Sequence, residues 1–596
     1  MTGPTPSPCP FSSLSPPKPN QTTPPRGSRS AAEVSVNAPE EPLRPVLVLA
    51  LDGASFDVIE PLIKEGRLPH LSAWMKEGHA QKLPSTTPPV TFPAWSSFMT
   101  GLAPAQHGIF DFSQKLPGQY QIRFVNASDR QGRSIQSAVS QAGGQALVLG
   151  LPATFPPEKM TGLLVPGFDA PVSTGTDAEA TSHPELYRRI AANAGHWMRP
   201  DMDESATGAS FHETAMDTLL TRIDRKTEFV LTALKKMRDH YKKPNPDLTI
   251  VVFSESDTAG HHYWRDHDPG SPRHDPDVSA PRQNALGNIY EKLDEACGRI
   301  RSEVGQDALC VVLSDHGMGG ASDYIVHLNA FLAQNGFLAR KRSAAGLERK
   351  LARFARDMAI RLLPASAAQM IFRRARGAAG RVESAVRFGG LNWSETQAFS
   401  EEVNTQPGIW INLQDREKEG CVSKSDYESV RESLITRLME WTLPNGEPVV
   451  ASARRREEVH PGPFMERAPD IVIELALDGG YGLSLVPTNW EENVPAEKTP
   501  SVRLLEGTDL AGGRGRGMNG THRNDGIFIA TGEGESLSQA RAMKPESLVD
   551  VAGELSRAMG LPWQPEPSIA ALPPRSYTEE EDAAVAARLR DLGYLD

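Results

Sequence analysis

Residues 46–53 read VLVLALDG, an unbroken apolar run that ends at an aspartate and a glycine. Similar short apolar runs recur at 146–149, 248–253, 308–313 and 527–530. Runs of this kind are typical of strands in a sheet that is covered on both faces, because neither face then needs polar side chains. The opening run therefore predicts a central strand of an α/β protein.

Amphipathic helical patterns lie between these runs. One apolar face extends from Met216 to Met237, and another extends from Leu286 to Ile300, just before the run at 308–313. Strands that alternate with helices predict a doubly wound, mostly parallel α/β sheet. Such sheets bind ligands outside the carboxyl ends of their strands, so the residues that follow each run are site candidates.

Bulk composition narrows the classes of function. The chain has 596 residues and a formal net charge of −12, which argues against a general nucleic-acid binder. Its four cysteines form no close pairs, which indicates a reducing compartment. No secretory signal pattern and no run of about 18 apolar residues are found, so a cytoplasmic location without a transmembrane helix is expected.

Composition also divides the chain into segments. Residues 1–43 contain 11 prolines and few large apolar side chains, which predicts a disordered tail. The α/β core is expected in two parts that flank two inserts, and a tail follows it. The predicted segments are 44–335 (core, first part), 336–394 (basic helical insert), 395–480 (mixed insert), 481–563 (core, second part) and 564–596 (docking tail). Within that last segment, Thr578 to Glu581 reads as a capping box that opens a short helix.

The basic insert has two interpretations. Residues 340–388 carry 13 lysines or arginines against three acidic residues, with apolar residues at helical spacing. The pattern favours a helical insert with a solvated basic face. The alternative is a cap over the active site that attracts an anionic substrate or a membrane surface.

Four places put acidic residues or histidines beside an apolar run. They supply three carboxylates and three imidazoles: Asp52, Asp257, His261, Asp315, His316 and His522. Singly, each has an ordinary structural explanation as a helix cap or as a core or surface histidine. Together they are the ligand types that zinc accepts, and they predict two divalent ions that clamp the oxygens of a displacement at phosphorus. In this assignment Asp52, Asp315 and His316 hold one ion, and the other three side chains hold the second.

The candidate nucleophile is Thr91. Residues 88–101 read PPVTFPAWSSFMTG, which predicts a turn that opens a helix at this threonine. Its hydroxyl could be merely an N-cap, or it could be a nucleophile whose pKa a metal lowers while helix amides face the phosphoryl group. No G-x-S-x-G motif competes for the role.

Residues 512–517 read GGRGRG, a glycine-rich stretch that lacks the lysine of a phosphate-binding P-loop. We expect a flexible loop that delivers His522 to the site. Arg514 and Arg516 are candidates for contact with substrate.

In this order the motifs resemble the type I phosphodiesterase/nucleotide pyrophosphatase family of the alkaline phosphatase superfamily. The resemblance runs from about residue 45 to residue 532 and rests on LDG at 51–53, TFP at 91–93, TG and HGI at 100–109, D-x-x-G-H at 257–261, SDHGM at 314–318 and GTH at 520–522. It implies the alkaline phosphatase type of sheet, a small phosphorylated substrate, a phospho-threonine intermediate and two divalent ions, zinc or else manganese. It also implies that Thr91 joins Asp52, Asp315 and His316 around one zinc, while Asp257, His261 and His522 bind the other.

One segment departs from the family pattern. Nucleotide-cleaving members carry an asparagine shortly after the HGI stretch, and Phe112 occupies that place here. The departure weakens the assignment to nucleotides and leaves the main-chain amide of Phe92 as a candidate donor to phosphate. Phe92 and Phe112 are therefore the remaining substrate-binding candidates.

Several other functions are weighed against the phosphodiesterase. A sulfatase of the superfamily needs a cysteine or serine where Thr91 stands, so that function is disfavoured. A phosphomonoesterase, a phosphonate hydrolase and a non-catalytic metal-binding interaction protein stay open. The sequence does not indicate an oligomeric state.

Overall fold

The computed structural model describes residues 41–170, 178–198, 209–341, 384, 387–491, 494–513, 515–567 and 572–591. Almost all of the tail predicted to be disordered and most of the predicted basic insert lie outside the described residues. The described residues all belong to one compact unit. None of the helices in the described part of the chain combines the length and the apolar character that crossing a bilayer requires.

The strands fall in a central sheet, two smaller sheets and a two-stranded ribbon. They are β1 (Val46–Leu51), β2 (His79–Pro84), β3 (Ser113–Lys115), β4 (Ile122–Phe124), β5 (Ala146–Leu151), β6 (Gly162–Pro166), β7 (Leu248–Phe253), β8 (Leu309–Leu313), β9 (Gly317–Val326), β10 (Ala398–Phe399), β11 (Gly408–Ile411), β12 (Val450–Arg455), β13 (Ile471–Leu475), β14 (Leu477–Asp478), β15 (Tyr481–Leu485), β16 (Val502–Leu504), β17 (Gly520–Arg523) and β18 (Asp525–Thr531).

The helices lie mainly between the strands of the central sheet. They are α1 (Phe56–Lys64), α2 (Pro69–Glu77), α3 (Thr91–Thr100), α4 (Pro104–His107), α5 (Ile135–Gln141), α6 (Pro184–Ala194), α7 (Ala209–Tyr241), α8 (Glu255–His267), α9 (Ala280–Gln283), α10 (Ala285–Val304), α11 (Leu328–Gln334), α12 (Tyr427–Met439), α13 (Arg456–Val459), α14 (Gly534–Ala542), α15 (Leu548–Met559) and α16 (Glu579–Asp591).

The central sheet has seven strands in the order β2-β18-β8-β1-β7-β5-β6. β1 runs parallel to both β7 and β8, whereas β18 runs antiparallel to β8 and β2. The predicted fold class, a mostly parallel α/β sheet, is confirmed. Because β18 is antiparallel, its first residues lie at the edge where β1, β7 and β8 end. A residue that precedes β18 can therefore reach the same site as residues that follow the parallel strands.

Apolar cores cover both faces of the central sheet. Leu47, Leu49 and Leu51 of β1 pack into one buried cluster with α7 and α10, and Val46 and Val48 pack into a second cluster with α3 and α15. Successive side chains of a strand point to opposite faces, so an unbroken apolar run supplies both cores. The pattern of the opening run is thereby explained.

A separate antiparallel sheet forms within the range predicted as the mixed insert. Its strands have the order β10-β11-β13-β12, and α12 packs against them in a third apolar cluster. The third sheet joins β14, β15, β9 and β16, with β17 paired to β9. β17 carries His522, so this small sheet connects the second insert to the edge of the central sheet.

The C-terminal helix α16 begins with the predicted capping box. The amide of Thr578 donates to Glu581 Oε2 at 2.8 Å, and the amide of Glu581 donates to Thr578 Oγ1 at 3.3 Å. Val585 and Leu589 are buried in an apolar cluster that contains Phe92. Leu592, the next position of the same apolar face, lies outside the described residues. The helix thus packs beside the turn that precedes α3.

Candidate active site

The six candidate metal ligands come from four chain segments that meet at one edge of the central sheet. Asp52 follows β1, Asp315 and His316 lie between β8 and β9, and His522 lies on β17. Asp257 and His261 lie four residues apart on α8, directly after β7, so they share one helix face. The structure therefore brings together every residue of the predicted ligand set.

A glycine makes room for this convergence at the end of β1. Gly53 has a φ of +65°, and a Cβ placed there would come within 2.8 Å of Asp257 Oδ1. Its amide donates to Asp315 Oδ1 at 3.2 Å. The Asp-Gly pair of the opening stretch is thus required by a left-handed backbone conformation and by the close approach of two carboxylates.

The histidine rings are all oriented by backbone carbonyl groups. The Nδ1 atoms of His261, His316 and His522 lie 2.9, 3.0 and 2.9 Å from the carbonyl oxygens of Gly520, Gly317 and Pro89 respectively. A carbonyl oxygen can only accept, so each Nδ1 carries the proton. In the neutral imidazole the Nε2 atom then bears a lone pair, which is the arrangement that metal-binding histidines adopt.

The three Nε2 atoms and the carboxylates face one another. The Nε2 atoms of His261 and His522 are 3.0 Å apart, and each lies 3.5 Å from Asp257 Oδ1. His316 Nε2 lies 3.6 Å from Asp52 Oδ1 and 3.4 Å from Asp315 Oδ2. Two neutral imidazoles whose lone pairs approach in this way repel each other unless a cation lies beside both.

Burial and mutual repulsion perturb the acidic groups. Burial first, and then the charges of Asp315 and Asp257, hold the pKa of Asp52 well above its usual range. Burial and the charge of Asp257 raise the pKa of Asp315 to about 7. Burial also raises the pKa of Asp257, but the neighbouring histidines outweigh it, and the net shift is downward. Burial, followed by the charge of His522, lowers the pKa of His316 to about 3. The carboxylates thus disfavour one another's charge in the absence of a cation.

These donor atoms fit divalent cations. Asp52 Oδ1, Asp315 Oδ2 and His316 Nε2 are buried without a hydrogen-bond partner among the described residues. Within that same part of the chain, neither Asp52 nor Asp315 forms an ion pair with lysine or arginine. Two sets of donor atoms lie close enough to share an ion each, namely Asp257 with His261 and His522, and Asp257 with Asp52 and His316. The sequence assignment had placed Asp257 in one set only, and its position between both sets is a feature that the sequence did not reveal.

Thr91 is the first residue of α3 and is fully buried. The N-cap is Val90, and Thr91 Oγ1 has no hydrogen-bond partner in the described residues. The interpretation of this hydroxyl as merely an N-cap is therefore wrong, because it caps no amide. Trp95 lies one turn later on the same helix face and donates from Nε1 to Asp52 Oδ2 at 3.1 Å. The face of α3 that carries Thr91 is thus turned toward the acidic cluster.

His522 is held by a strand. The stretch 512–517, predicted as a flexible loop, lies outside the helices and strands in its described residues, but it ends before the strand that carries His522. Gly520 to Arg523 pair in register with β9, with His522 opposite Met318. A strand fixes a side chain more firmly than a loop does. Within the glycine-rich stretch that precedes it, Arg516 forms an ion pair with Asp509 at 2.8 Å. Arg514 lies outside the described residues.

The aromatic candidates lie in the packed interior. The rings of Phe92 and Phe112 are buried with their centroids 4.5 Å apart, and Phe168 packs against both. Neither of these two side chains lines the cavity that opens beside His261 and His522. The main-chain amide of Phe92, in the first turn of α3, has no intrahelical acceptor and stays a candidate donor.

A cavity of about 810 Å³ opens beside the histidines. His261 and His522 line it, and the second insert contributes residues 472–477 together with Ala451, Ser452 and Arg454. The volume exceeds what a phosphate group needs and lies in the range of small-molecule sites. Two lining residues that sequence reasoning missed are Arg454 and Arg523. Arg523 follows His522 directly, a signal that was present, whereas nothing local marks Arg454.

Comparison with known proteins gives a family match. The model of the family described as type I phosphodiesterase / nucleotide pyrophosphatase matches residues 46–484. No curated protein matches the sequence significantly.

Among solved structures, phosphonoacetate hydrolase from Sinorhizobium meliloti 1021, in complex with phosphonoacetate, is 16% identical with a TM-score of 0.49, and the match covers 87% of this chain and 96% of that one. Human ectonucleotide pyrophosphatase / phosphodiesterase 5 is 13% identical with a TM-score of 0.41, covering 92% and 99%. The murine enzyme, in complex with AMP, is 13% identical with a TM-score of 0.41, covering 90% and 97%. Because the family model spans most of the sequence, the chain belongs to the type I phosphodiesterase/nucleotide pyrophosphatase family of hydrolases, which act on phosphoester bonds.

Proposed function

We propose that this enzyme hydrolyses phosphodiester bonds with Thr91 as the nucleophile and with two divalent cations, zinc in the first instance, at the acidic and histidine cluster. The observation that carries the proposal is the convergence of three imidazole Nε2 atoms and three buried carboxylates. The helix that is hydrogen-bonded to one of these carboxylates, Asp52, begins at Thr91, whose buried hydroxyl has no hydrogen-bond partner in the described residues. Mixed histidine and aspartate donors suit zinc, and manganese is the second choice.

The residues divide naturally around the two cations. His261 and His522 would hold one, and Asp52, Asp315 and His316 would hold the other together with Thr91. Asp257 lies close to both groups of donors. When bound, such cations lower the pKa of an oxygen nucleophile and neutralise the charge that develops at phosphorus.

The protein itself orients the nucleophile. Thr91 begins a buried helix, and Trp95 of that helix donates a hydrogen bond to Asp52. The carbonyl oxygen of Pro89, two residues before Thr91, accepts from Nδ1 of His522. In the proposed reaction Thr91 Oγ1 loses its proton and bonds to phosphorus, while the bond from phosphorus to one ester oxygen breaks and that alcohol leaves with a proton. The main-chain amide of Phe92 donates to a phosphoryl oxygen. Water then cleaves the phospho-threonine, which releases the phosphate monoester and restores the Thr91 hydroxyl.

A substrate panel on the zinc-loaded protein tests this function. It compares bis(4-nitrophenyl) phosphate, 4-nitrophenyl phosphate and a carbon-phosphorus substrate, phosphonoacetate. We expect the diester to be turned over with the highest kcat/KM. Faster cleavage of the monoester or of the phosphonate would replace the proposal with one of the two related hydrolases.

The same preparation tests the non-catalytic alternative. A metal-binding interaction protein would contain zinc and cleave none of the three compounds. Stoichiometric metal with no turnover, under conditions where the fold is intact by circular dichroism, would reject the enzymatic proposal.

A further inference from the structure

Arg523 lies in the cavity wall next to His522 and bridges three segments of the third sheet. Its Nη1 donates to the carbonyl oxygens of Thr521 and His522, and its Nη2 donates to those of Gly320 and Gly480 at 2.8 and 3.3 Å. It also donates to the hydroxyl of Thr521. Every one of these acceptors is electrically neutral, so the bonds position the guanidinium without cancelling its charge.

The backbone is shaped around this guanidinium. A Cβ at Gly319 would come within 2.5 Å of Arg523 Nε, and a Cβ at Gly482 would come within 2.7 Å of Arg523 Nη1. At Gly482 the added atom would meet the hydroxyl of Thr521 first, at 2.1 Å. The two glycines thus leave room for the guanidinium of Arg523 within the sheet.

The charge of Arg523 lacks an ion-pair partner in the described part of the chain. The guanidinium of Arg523 stays protonated at neutral pH. A partly buried cation without an ion-pair partner at a cavity wall attracts anions.

A second arginine lines the same cavity. Arg454 lies on β12 of the insert sheet, is exposed, and its guanidinium makes no hydrogen bond or ion pair with another described residue. The third lining cation, Lys82, is different because it faces Asp525 at 3.8 Å. The lining carboxylates are Asp57, Glu474 and Asp525, and Asp525 is the one that faces Lys82. Among the lining cations, the two arginines are therefore the ones that form no ion pair with a described residue.

We propose that Arg523 and Arg454 form an anion subsite, which binds a second negatively charged oxygen group of the substrate, separate from the phosphorus that is attacked. This inference rests on the proposed function, because it places the second group beside the histidines that flank the reacting phosphoryl group. One cation comes from the core and the other from the insert, so the subsite gives the insert sheet, which lines the cavity, a role in binding substrate.

The test uses four 4-nitrophenyl phosphodiesters that differ only in the second alcohol, which carries a carboxylate, a phosphate, a neutral methyl ester or an ammonium group. For the wild-type enzyme we expect a KM for the better anionic ester about tenfold below that of the methyl ester. The comparison of carboxylate with phosphate identifies which anion the subsite takes. Equal KM values for charged and neutral esters, or a preference for the ammonium ester, would overturn the inference.

Two substitutions test whether the arginines cause the preference for the anionic ester. Arg454→Ala should reduce the ratio of the KM for the methyl ester to the KM for the anionic ester from about ten to near one. Arg523→Gln should have the same effect. The matched control is Arg455→Ala, because Arg455 lies on the same strand as Arg454, is paired with Glu432 of α12 and does not line the cavity. An unchanged ratio in Arg454→Ala would overturn the proposal, and this exposed position gives a readable result even if Arg523→Gln fails to fold.

The design separates this inference from the proposed function. If the wild-type protein cleaves none of the esters, the proposed function fails, and the uncleaved esters become equilibrium ligands for calorimetry. The subsite then requires the anionic ester to bind about tenfold more tightly than the methyl ester, with the difference lost in Arg454→Ala. Equal dissociation constants would reject the subsite as well.

Discussion

The Nε1–H group of Trp95 donates to Oδ2 of Asp52 at 3.1 Å, and this bond joins the helix that begins at Thr91 to the end of β1. The helix and the strand therefore hold the candidate nucleophile and a candidate metal ligand in one rigid unit. The other carboxylate oxygen of Asp52 is left facing His316 Nε2 at 3.6 Å. The bond thus decides which oxygen of Asp52 is available to a cation.

Loss of this bond should weaken metal binding. Trp95→Phe keeps an aromatic ring in the core but removes the donor, and we expect metal affinity to fall about tenfold, as for other residues that orient metal ligands. Competition titration with a zinc chelator measures it. Trp563→Phe is the control, because Trp563 packs in the same apolar cluster and its Nε1 has no hydrogen-bond partner in the described residues. Equal affinity in both variants would contradict the assignment of Asp52 as a ligand.

The hydroxyl of Thr91 should be essential for turnover and dispensable for the fold. Thr91→Ala is expected to lower kcat for a diester by about 10³-fold or more while zinc content is retained, since the variant lacks only the attacking oxygen. Thr91→Ser keeps a hydroxyl and should retain measurable activity. Full turnover by the alanine variant would remove Thr91 from the mechanism.

His522 should be required for one of two bound ions. In His522→Ala we expect elemental analysis to show about one zinc per chain, against two for the wild-type protein. His327→Ala is a close control, because His327 is also buried and its Nδ1 also faces a carbonyl oxygen, that of Val486 at 3.1 Å. An equal loss of zinc in both variants would indicate damage to the fold and would count against a specific role for His522.

The stability of the protein should depend on the protonation of Asp111. Burial is the main cause that raises the pKa of this carboxyl to about 7, while Arg387 and the hydroxyl of Thr405 lower it and Glu401 raises it. In the unfolded chain the carboxyl titrates near 3.8. The folded state therefore favours the protonated carboxyl. The contribution of this group to the free energy of unfolding is fully present below about pH 4 and is lost as the pH rises through about 7.

Asp111→Asn removes this titration. We expect the free energy of unfolding of the variant to exceed that of the wild-type protein by about 1–3 kcal/mol at pH 8 and by less at pH 5. Urea unfolding at both pH values measures the difference. Asp415→Asn, at an exposed ion pair with Lys424, is the control that should show no such pH dependence. A variant that is less stable than the wild-type protein at pH 8 would contradict the expected sign.

Local patterns were enough to predict the class of fold and the identities of the converging side chains. Apolar runs and helical spacing report burial within a few residues, and the motif around each strand end is itself local. The same approach did not predict the strand that carries His522, because the pairing of β17 with β9 joins segments some 200 residues apart. It was silent on Arg454, which no nearby motif marks as part of a site.

The sequence by itself determined that carboxylates and imidazoles lie beside buried strands, because the apolar residues of each strand and the polar residues beside them are neighbours in the chain. Only the tertiary structure decided that Val90 rather than Thr91 caps α3, that the Nε2 atoms of His261 and His522 face each other, and that Asp257 lies between both donor sets. It also decided that the insert sheet lines the cavity. The reason is that hydrogen-bond partners and cavity walls depend on contacts between segments that are distant in the sequence. The periodicity of a helix or strand reports only on neighbouring residues and cannot predict such contacts.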